Sequence, residues 1–529
     1  MTRDPFTYLT AFLCGASIMA VELAATRLLA PYYGASMVVW TIVIGVMLAA
    51  ISIGNVAGGI IADRSAIESQ TILYKMIWAA SLWIAAIPLV GKYVVASSFF
   101  LMMWLFPGNV LTAGTVFSCI TCFAPPCLIL GAVTPCLVKS ATADLARNGQ
   151  VAGELYALST IGSIVGTFLP TFWTIPLLGT ARTFYLFALI LNLTATVFFL
   201  RRHLHRKRAL VSAVMILALL CLIPADRSFA FWKTPILEDE SIYNYLMVDK
   251  FEGGGLGLST HVLANVQSFY REENALVGGY WDFTLLGPFW RPGFTGFDQP
   301  FRALVLGLGT GTFARQCRYF FPRSVVDGVD IDQRIVDLSR SHFGLKPDDA
   351  NVYVDDGRTF LTGGKAGMYD VILLDTYRDL TIPFHLATRE FFELVKSHLA
   401  TDGALVINVN MRAETPEKND ISEHLVQTIR SVFPCVFRCD LPEQTNVMVY
   451  ATPHSDGFSQ FSRNVQTLPQ KHPLTWIARD ASDFTREVTE SRLVLTDDLA
   501  PVEMLGEQVL NDMVRDGLRE VLVRVVSSF

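Results

Sequence analysis

The sequence predicts three parts in order: a multi-span α-helical membrane domain, a small β-hairpin layer and a Rossmann-like α/β domain. Apolar stretches long enough to cross a bilayer are concentrated before residue 226, and the whole chain is 52% hydrophobic with a mean hydropathy of +0.40. The second half instead alternates short apolar runs with glycines and acids, about one βα unit apart. The two halves are therefore suited to different solvents.

The membrane domain, residues 1–225, is predicted to contain about seven spans. The first span begins almost at Met1 and has no cleavage-site pattern, so it is expected to remain as an anchor. The stretch 95–107 is too short to cross alone, and it is expected either to lie in the interface or to lengthen a neighbour. The predicted spans are 7–30, 37–62, 71–93, 109–138, 151–178, 180–200 and 209–225.

Ionisable and small residues within the spans carry further predictions. Charged groups in a bilayer are costly, and they usually face one another or a polar interior. Glu22 and Arg27 are thus expected either to form an ion pair or to line a cavity for a cationic ligand, with Glu154 as a further candidate for that cavity. Two glycine pairs predict close helix–helix contact: Gly54 with Gly58, and Gly162 with Gly166.

The second half divides into a linker, residues 226–238, a β-hairpin layer, residues 239–300, and an α/β domain, residues 301–529. Within the layer, a strand is predicted over Ile242–Val248, and an antiparallel pair is predicted around 434–451 near the end of the α/β pattern. Four segments at predicted strand ends contain glycine or acid: Gly307–Gly311, Val329–Asp332, Val354–Gly357 and Leu373–Asp375.

Those four segments predict a nucleoside site. In an open parallel sheet, ligands bind outside the carboxyl ends of the strands. Glycine allows the backbone to approach a ligand closely, one carboxylate suits ribose hydroxyls and another suits the adenine amine. Four such segments in order predict a class I methyltransferase-type domain that binds an adenosine ligand.

Charge distribution bears on partners and on orientation. Residues 1–225 carry 13 Lys and Arg against 6 Asp and Glu, a net +7, and the remainder has a net charge of −13, which gives −6 for the chain. An acidic domain without a basic stripe argues against nucleic acid as a partner. The basic loop 201–208 is expected in the cytoplasm. With seven spans this places the α/β domain outside, whereas cofactor supply favours the inside. We therefore expect a multi-pass protein of the cell (inner) membrane, with the side of the α/β domain left open.

The chain resembles the spermidine synthase-like aminopropyltransferases, in particular the branch in which a transporter-like membrane half precedes a spermidine synthase domain. In the membrane half, the resemblance rests on Glu22 with Arg27, on Gly58–Arg64 and on Gly153–Tyr156. In the second half, it rests on Ile382–Leu386 and Leu495–Glu503. It covers nearly the whole chain.

The resemblance implies roles for individual residues. Asp330 would bind the ribose hydroxyls and Asp356 the adenine amine, whereas Asn244 and Tyr280 would contact the substrate, at the places of a ligand-touching glutamine and a gate-keeping tyrosine. The implied cofactor-binding residues are Gly307, Gly309, Gly311, Asp330, Asp356 and Gly357.

Aminopropyl transfer requires an amine nitrogen to attack the carbon next to a sulfonium, so a carboxylate is needed as base and as anchor for the cation. The family supplies one acid in the glycine loop, where this chain has Thr310, and two in an Asp-x-x-Asp loop. Asp375 retains the first of these. Arg378 stands in place of the second, with Asp379 one residue later. The predicted catalytic residues are therefore Asp375 and Asp379, and Arg378 is a candidate to bind a substrate carboxylate.

The predicted activity is transfer of an aminopropyl-type group from S-adenosylmethionine, or its decarboxylated form, to a small-molecule amine, with release of methylthioadenosine. One alternative is a lyase or cyclase that cleaves the same cofactor without an amine. Another is a sensor or transporter regulated by an adenosyl ligand. No metal is expected, because the thiol spacing at Cys119, Cys122 and Cys127 has no histidine or acid nearby. A homodimer is an open expectation.

Overall fold

The computed structural model describes residues 4–64, 66–142, 148–222, 229–251, 254–262, 266–272, 275–364, 366–377, 382–410, 421–441, 444–506 and 509. The chain forms two compact units, Met1–Phe231 and Trp232–Phe529.

The first unit is helical. Within its described residues, six helical stretches are long and apolar enough to cross a membrane. The fourth and fifth of these are interrupted by π-helical turns at Cys119–Phe123 and Pro170–Thr174. The helices are α1 (Pro5–Tyr33), α2 (Met37–Ala62), α3 (Ala66–Leu105), α4 (Val110–Ser118), α5 (Ala124–Gly131), α6 (Val133–Ala141), α7 (Asn148–Leu169), α8 (Ile175–Leu178), α9 (Thr180–Arg201) and α10 (Arg206–Leu222).

Two of these helices differ from the predicted spans. The stretch from residue 95 continues α3, which therefore runs for 40 residues, so this stretch lengthens its neighbour. The seventh predicted span corresponds to α10, which is 17 residues long as described. Whether α10 crosses the bilayer stays a prediction.

Close contact at the glycine pairs is confirmed. A Cβ atom built on Gly162 would lie 2.1 Å from the Phe12 carbonyl oxygen, and one on Gly166 would lie 2.0 Å from that of Ala16. Helices α1 and α7 therefore touch backbone to backbone, and a side chain at either glycine would force them apart. The other pair packs α2 in the same way, since a Cβ on Gly54 would lie 2.1 Å from the Leu128 carbonyl oxygen.

Glu22 is buried in the middle of α1, with 6% of its surface exposed. Arg27 follows five residues later, which places it about 140° around the helix. The two described side chains form no ion pair with each other, and Arg27 takes part in another interaction. The ion-pair interpretation therefore finds no support in the structure.

The second unit begins with a four-stranded antiparallel sheet. Its strands pair in sequence order and are β1 (Leu237–Glu240), β2 (Tyr245–Lys250), β3 (Leu256–Ser259) and β4 (Ser268–Tyr270). The predicted strand over Ile242–Val248 starts too early, because the Ser241 hydroxyl accepts hydrogen bonds from the backbone N–H groups of Tyr243 and Asn244 and closes a turn there. Asn244 thus lies at the end of a turn, directly before β2.

In the described part of the chain, the larger sheet has eight strands in the order β12-β10-β11-β9-β8-β5-β6-β7. Its strands are β5 (Arg302–Leu306), β6 (Val325–Asp330), β7 (Asn351–Val354), β8 (Tyr369–Leu374), β9 (Leu399–Val409), β10 (Cys435–Asp440), β11 (Val447–Thr452) and β12 (Thr485–Glu487). Strands β5 to β9 are parallel, and the pair β10–β11 is antiparallel as predicted. The strand order reverses at β5, which has β6 on one side and β8 on the other. The predicted Rossmann-like fold is confirmed.

Helices cover both faces of this sheet. They are α11 (Tyr280–Thr284), α12 (Thr312–Phe320), α13 (Gln333–Ser341), α14 (Gly357–Thr362), α15 (Arg389–Ser397), α16 (Ile421–Arg430), α17 (Gly457–Gln466) and α18 (Pro473–Phe484). On one face, Trp290 is fully buried and stacks on Tyr450 and Phe461, with ring centroids 4.9 and 4.5 Å away. A second buried cluster, which includes Phe391 and Ile429, fills the other face. This double core fixes the carboxyl ends of β5 to β9 as one rigid edge.

Candidate active site

The glycine loop after β5 follows the path that the sequence predicts. Gly307, Gly309 and Gly311 all have positive φ angles, of 87°, 55° and 81°. A Cβ on Gly307 would lie 2.2 Å from the Asp375 carbonyl oxygen, so only glycine fits there. The loop therefore provides a bare backbone surface at the point where the strand order reverses.

Asp330 ends β6 and is tied to this loop. Its carboxylate accepts hydrogen bonds from the backbone N–H of Gly309 at 2.8 Å and of Asp332 at 3.0 Å. The side chain is only 8% exposed, and burial raises the pKa of Asp330 to about 7. Each oxygen of the ionised carboxylate has a second lone pair that can accept a hydrogen bond from a hydroxyl, as the ribose role implied by the resemblance requires.

Asp332 is a part of the site that sequence reasoning missed. It accepts hydrogen bonds from Ser241 Oγ at 2.5 Å and from Asn244 Nδ2 at 3.1 Å, and so joins the small sheet to the end of β6. Asn244 is thereby held in place, and its Oδ1 is a buried acceptor with no hydrogen-bond partner among the described residues. The signal was in the motif itself, whose second acid caps α13.

Asp356 caps α14 at the end of β7. Its Oδ1 accepts hydrogen bonds from the backbone N–H of Arg358 at 3.0 Å and of Thr359 at 2.9 Å, while Oδ2 lies 2.9 Å from His385 Nε2. The hydrogen bond from His385 is the main reason that the pKa of Asp356 is lowered to about 2. Gly357 follows as the first residue of α14. A Cβ there would make ordinary contact with Leu306, so the structure does not require glycine at this position.

Asp375 follows β8 and lies directly beside the glycine loop. Its Oδ1 accepts a hydrogen bond from Asn408 Nδ2 at 2.8 Å, and its Oδ2 lies 3.4 Å from the Tyr280 hydroxyl. That hydroxyl also lies 3.1 Å from the Gln267 carbonyl oxygen. Burial raises the pKa of Asp375 to about 6, against the lowering effect of its two partners. The geometry thus supplies an oriented carboxylate, and burial brings its pKa closer to neutral.

Asn408 and Tyr377 are two further residues that the sequence analysis did not identify. Asn408 is itself oriented, because Asn446 Nδ2 donates to its Oδ1 at 2.8 Å. The Tyr377 hydroxyl donates to the Asn408 carbonyl oxygen at 2.7 Å and accepts from the Asn410 N–H at 2.6 Å. These bonds tie the loop after β8 to the end of β9. The sequence signal for this site was Asn408 itself, a polar residue near the end of the apolar run of β9.

Thr310 occupies the position of the family's glycine-loop acid but does not replace it chemically. It is fully buried, and its Oγ1 lies 2.6 Å from Ser268 Oγ on β4. Its side chain therefore serves contact between the loop and the small sheet. Arg378 and Asp379 lie outside the described residues, so their roles remain predictions.

The described residues of the predicted site meet at one edge of the sheet. The glycine loop contacts Asp330 and Asp375 directly, and the backbone at Asp355 donates to the Asp330 carbonyl oxygen at 3.1 Å. This edge carries the glycine loop after β5, an acid after each of β6 and β7, and an oriented carboxylate after β8. Backbone that a ligand can approach closely and several carboxylates are the groups that suit an adenosine ligand.

Comparison with known proteins yields three kinds of match. The family model of the spermine/spermidine synthase domain matches residues 293–457. A probable polyamine aminopropyl transferase of Bifidobacterium longum is 36% identical over 337 residues, which cover 60% of this chain and 73% of that protein. A polyamine aminopropyltransferase of Vibrio vulnificus is 27% identical over 306 residues, 55% of this chain and 98% of that protein. The crystal structure of a probable spermidine synthase from Corynebacterium glutamicum aligns over 51% of this chain and 99% of its own, with 20% identity and a TM-score of 0.38.

Proposed function

Because the chain belongs to the spermine/spermidine synthase family, we propose that it transfers an aminopropyl group from decarboxylated S-adenosylmethionine to a small amine. The observation that carries this proposal is Asp375, a half-buried carboxylate beside the glycine loop that accepts a hydrogen bond from Asn408 and lies next to the Tyr280 hydroxyl. Its pKa of about 6 leaves it largely ionised at neutral pH and still able to take up a proton.

The proposed reaction is a single displacement. The amine nitrogen forms a bond to the carbon next to the sulfonium, the carbon–sulfur bond breaks, and its electron pair neutralises the sulfur to give methylthioadenosine. The amine proton passes to Asp375, which also offsets the positive charge of the two reactants. The remaining site residues bind and orient, with Asp330 toward the ribose, Asp356 toward the adenine amine, and Asn244 and Tyr280 toward the substrate.

Three further parts of the proposal lie beyond the described site. Asp379 is proposed as a second acid and Arg378 as a contact for a substrate carboxylate, because both follow Asp375 in the same loop. The helical unit is proposed to anchor the enzyme as a multi-pass protein of the cell membrane, because six long apolar helices lie among its described residues. A homodimer is proposed as the assembly.

The test uses the full-length protein purified in detergent and incubated with decarboxylated S-adenosylmethionine, with and without putrescine, while methylthioadenosine is measured by mass spectrometry. We expect release that depends on the amine and is lost in Asp375→Asn. The matched control is Asp480→Asn, which removes an exposed charge on α18 and should leave the rate unchanged.

Two outcomes would contradict the proposal in different ways. Release of methylthioadenosine without any amine would identify a lyase or cyclase. Binding of the cofactor without any release would favour a sensor or transporter. In that case Glu22→Gln in α1 should abolish the membrane activity while nucleoside binding persists.

A further inference from the structure

A segment near the end of the described chain crosses helices α15 and α16 on its way to Val502. We call this segment, residues 492–502, the C-terminal strap. At the start of the strap, Gln427 Oε1 accepts hydrogen bonds from two successive backbone N–H groups, at 2.9 and 3.0 Å. Thr428 Oγ1 accepts a hydrogen bond from the Leu495 N–H at 2.9 Å. Leu495 and Val502 are 2% and 1% exposed and belong to the core beneath. The strap is therefore held firmly at both ends.

Between these ends, Asp497 contacts residues next to the proposed nucleoside site. Its two carboxylate oxygens accept a paired contact from Arg358, at 2.8 and 2.6 Å. Oδ1 also accepts from Thr388 Oγ1 at 2.7 Å, and the Asp497 N–H donates to Glu390 Oε2 at 3.0 Å. A planar two-point contact of this kind fixes direction as well as distance.

Arg358 in turn touches both members of the Asp356–His385 pair. Its backbone N–H donates to Asp356 Oδ1 at 3.0 Å, and its Nη1 donates to the His385 carbonyl oxygen at 3.1 Å. His385 Nε2 then lies 2.9 Å from Asp356 Oδ2. A continuous set of hydrogen bonds thus runs from Asp497 to the carboxylate that caps α14.

Asp356 has little free capacity for a ligand. Oδ1 accepts two backbone N–H groups, and Oδ2 is engaged by His385, so an adenine amine has to share Oδ2 with the imidazole. The direction of His385 therefore decides whether the second lone pair of Oδ2 faces the ligand. Arg358, held by Asp497, bonds the backbone carbonyl of His385 and so fixes the main chain from which the imidazole extends.

We propose that Asp497 is a positioning residue of the nucleoside site, and that it acts through Arg358 to hold the His385–Asp356 pair open to the amine of an adenine base. The inference rests on the proposed function, because it takes the ligand to be an adenine nucleoside. It assigns to the segment Leu495–Glu503 a role in base selection. The ion pair itself is partly exposed, with 26% and 42% of the two side chains accessible, so its direct contribution to stability is small.

The test compares two nucleosides on the full-length protein in detergent by isothermal titration calorimetry. Methylthioadenosine carries the exocyclic amine, and methylthioinosine has a carbonyl oxygen in its place. We expect Asp497→Asn to weaken methylthioadenosine about tenfold, the loss of one charge-assisted hydrogen bond, and methylthioinosine by less than about twofold. Arg358→Lys should act in the same direction, since lysine cannot make the paired contact, and the double variant should lose no more than either single variant.

Asp498→Asn is the control, because it removes a neighbouring exposed charge and should change neither affinity. Equal weakening of both nucleosides in Asp497→Asn and Arg358→Lys would assign the strap a purely structural role and overturn the inference. Unchanged affinity for methylthioadenosine in both variants would also overturn it. A wild-type protein that binds neither nucleoside would overturn the proposed function and this inference together, whereas the first two results leave the proposed function standing.

Discussion

Asp375 and Asp356 lie at the same edge of one sheet, yet their surroundings move their pKa values in opposite directions. Burial raises the pKa of Asp375 to about 6, and the hydrogen bond from His385 lowers that of Asp356 to about 2. One acid therefore exchanges protons near neutral pH while the other stays ionised. This separation is what a site needs if one carboxylate is to act as a base and the other as a fixed acceptor.

The pKa of Asp375 predicts the pH dependence of the reaction. The base is active when ionised, so we expect the rate of methylthioadenosine release, at saturating amine, to rise from pH 5 to pH 7 with a midpoint near 6. Asp375→Asn should lower the rate by about 10²-fold or more and remove the rise in rate between pH 5 and pH 7. If the rate of the asparagine variant rose with pH as much as that of wild type, another group would be the base.

The same shift predicts an effect on stability. The pKa of Asp375 in the folded protein lies above its usual value of 3.8, so the folded state holds the proton more tightly. Its contribution to stability therefore falls as pH rises from about 4 to 6. We expect Asp375→Asn to unfold at a higher temperature than wild type at pH 8, and to lose that advantage at pH 4. Scanning calorimetry at the two pH values measures this, with Asp480→Asn as the control.

Thr310 offers a second test at the scale of one residue. An acid placed there would be buried against Ser268, because Thr310 is fully buried and its hydroxyl lies 2.6 Å from that side chain. We expect Thr310→Asp to lower the unfolding temperature by about 5–10 °C, from the cost of desolvating a carboxylate, without improving turnover of putrescine. Thr310→Ser keeps the hydroxyl and should stay within about 2 °C of wild type. Faster turnover at unchanged stability would contradict this account.

Residues at strand ends were predictable from sequence, whereas their partners were not. Gly307, Asp330 and Asp375 each come at the end of an apolar run, and this pattern can be read from residues that are neighbours in the sequence. Asn408 reaches Asp375 from a strand that begins 24 residues later, and its role depends on the pairing of β8 with β9. Such contacts arise from the register of the sheet, which composition and spacing do not encode.

At the scale of elements, the contact between α1 and α7 depends on two glycines. Their backbones approach closely enough that a Cβ on Gly162 would lie 2.1 Å from a carbonyl oxygen of α1, whereas one on Gly153 of the same helix meets nothing within 4 Å. We expect Gly162→Ala to destabilise the helical unit by about 1–3 kcal/mol, and Gly153→Ala to leave it unchanged or slightly more stable. Thermal unfolding of the full chain in detergent measures both. Equal effects of the two substitutions would show that the close contact carries no energetic weight.

Element boundaries follow the same division between local and non-local causes. Hydropathy falls near residue 95 while α3 continues to Leu105, so the sequence left open whether this stretch lengthens the helix or lies in the interface. The start of β2 was missed because the Ser241 hydroxyl satisfies two backbone N–H groups and displaces the strand. The antiparallel pair β10–β11, by contrast, is set by adjacent apolar runs and was predicted correctly.

At the scale of the molecule, two units with separate cores share one chain, and we expect charge to set the orientation of the first unit in a membrane. If the six long apolar helices among the described residues all cross a membrane, the chain returns to the side on which it begins. Arg201 ends α9 and Arg202 follows it. The run Arg206–Arg208 begins α10, so the segment that joins the two helices is the most basic of the unit. Basic loops stay in the cytoplasm. Helix α10 is about 25 Å long as described, against a hydrocarbon core of about 30 Å, so its crossing decides the side of the α/β unit.

Cysteine labelling in intact cells tests this orientation. Cys221 is the exposed one of the nine cysteines, so Cys221→Ser provides a background in which the other eight are buried. We expect His203→Cys, in the loop after α9, to react with a membrane-impermeant maleimide only after the cells are permeabilised. Gly108→Cys lies between α3 and α4, three crossings from the start, and should react without permeabilisation. Both positions are exposed, so a difference between them reports the side of the membrane. Labelling of His203→Cys in intact cells, or protection of Gly108→Cys, would show the opposite orientation. The basic loop would then lie outside the cytoplasm, which contradicts the expectation from its charge.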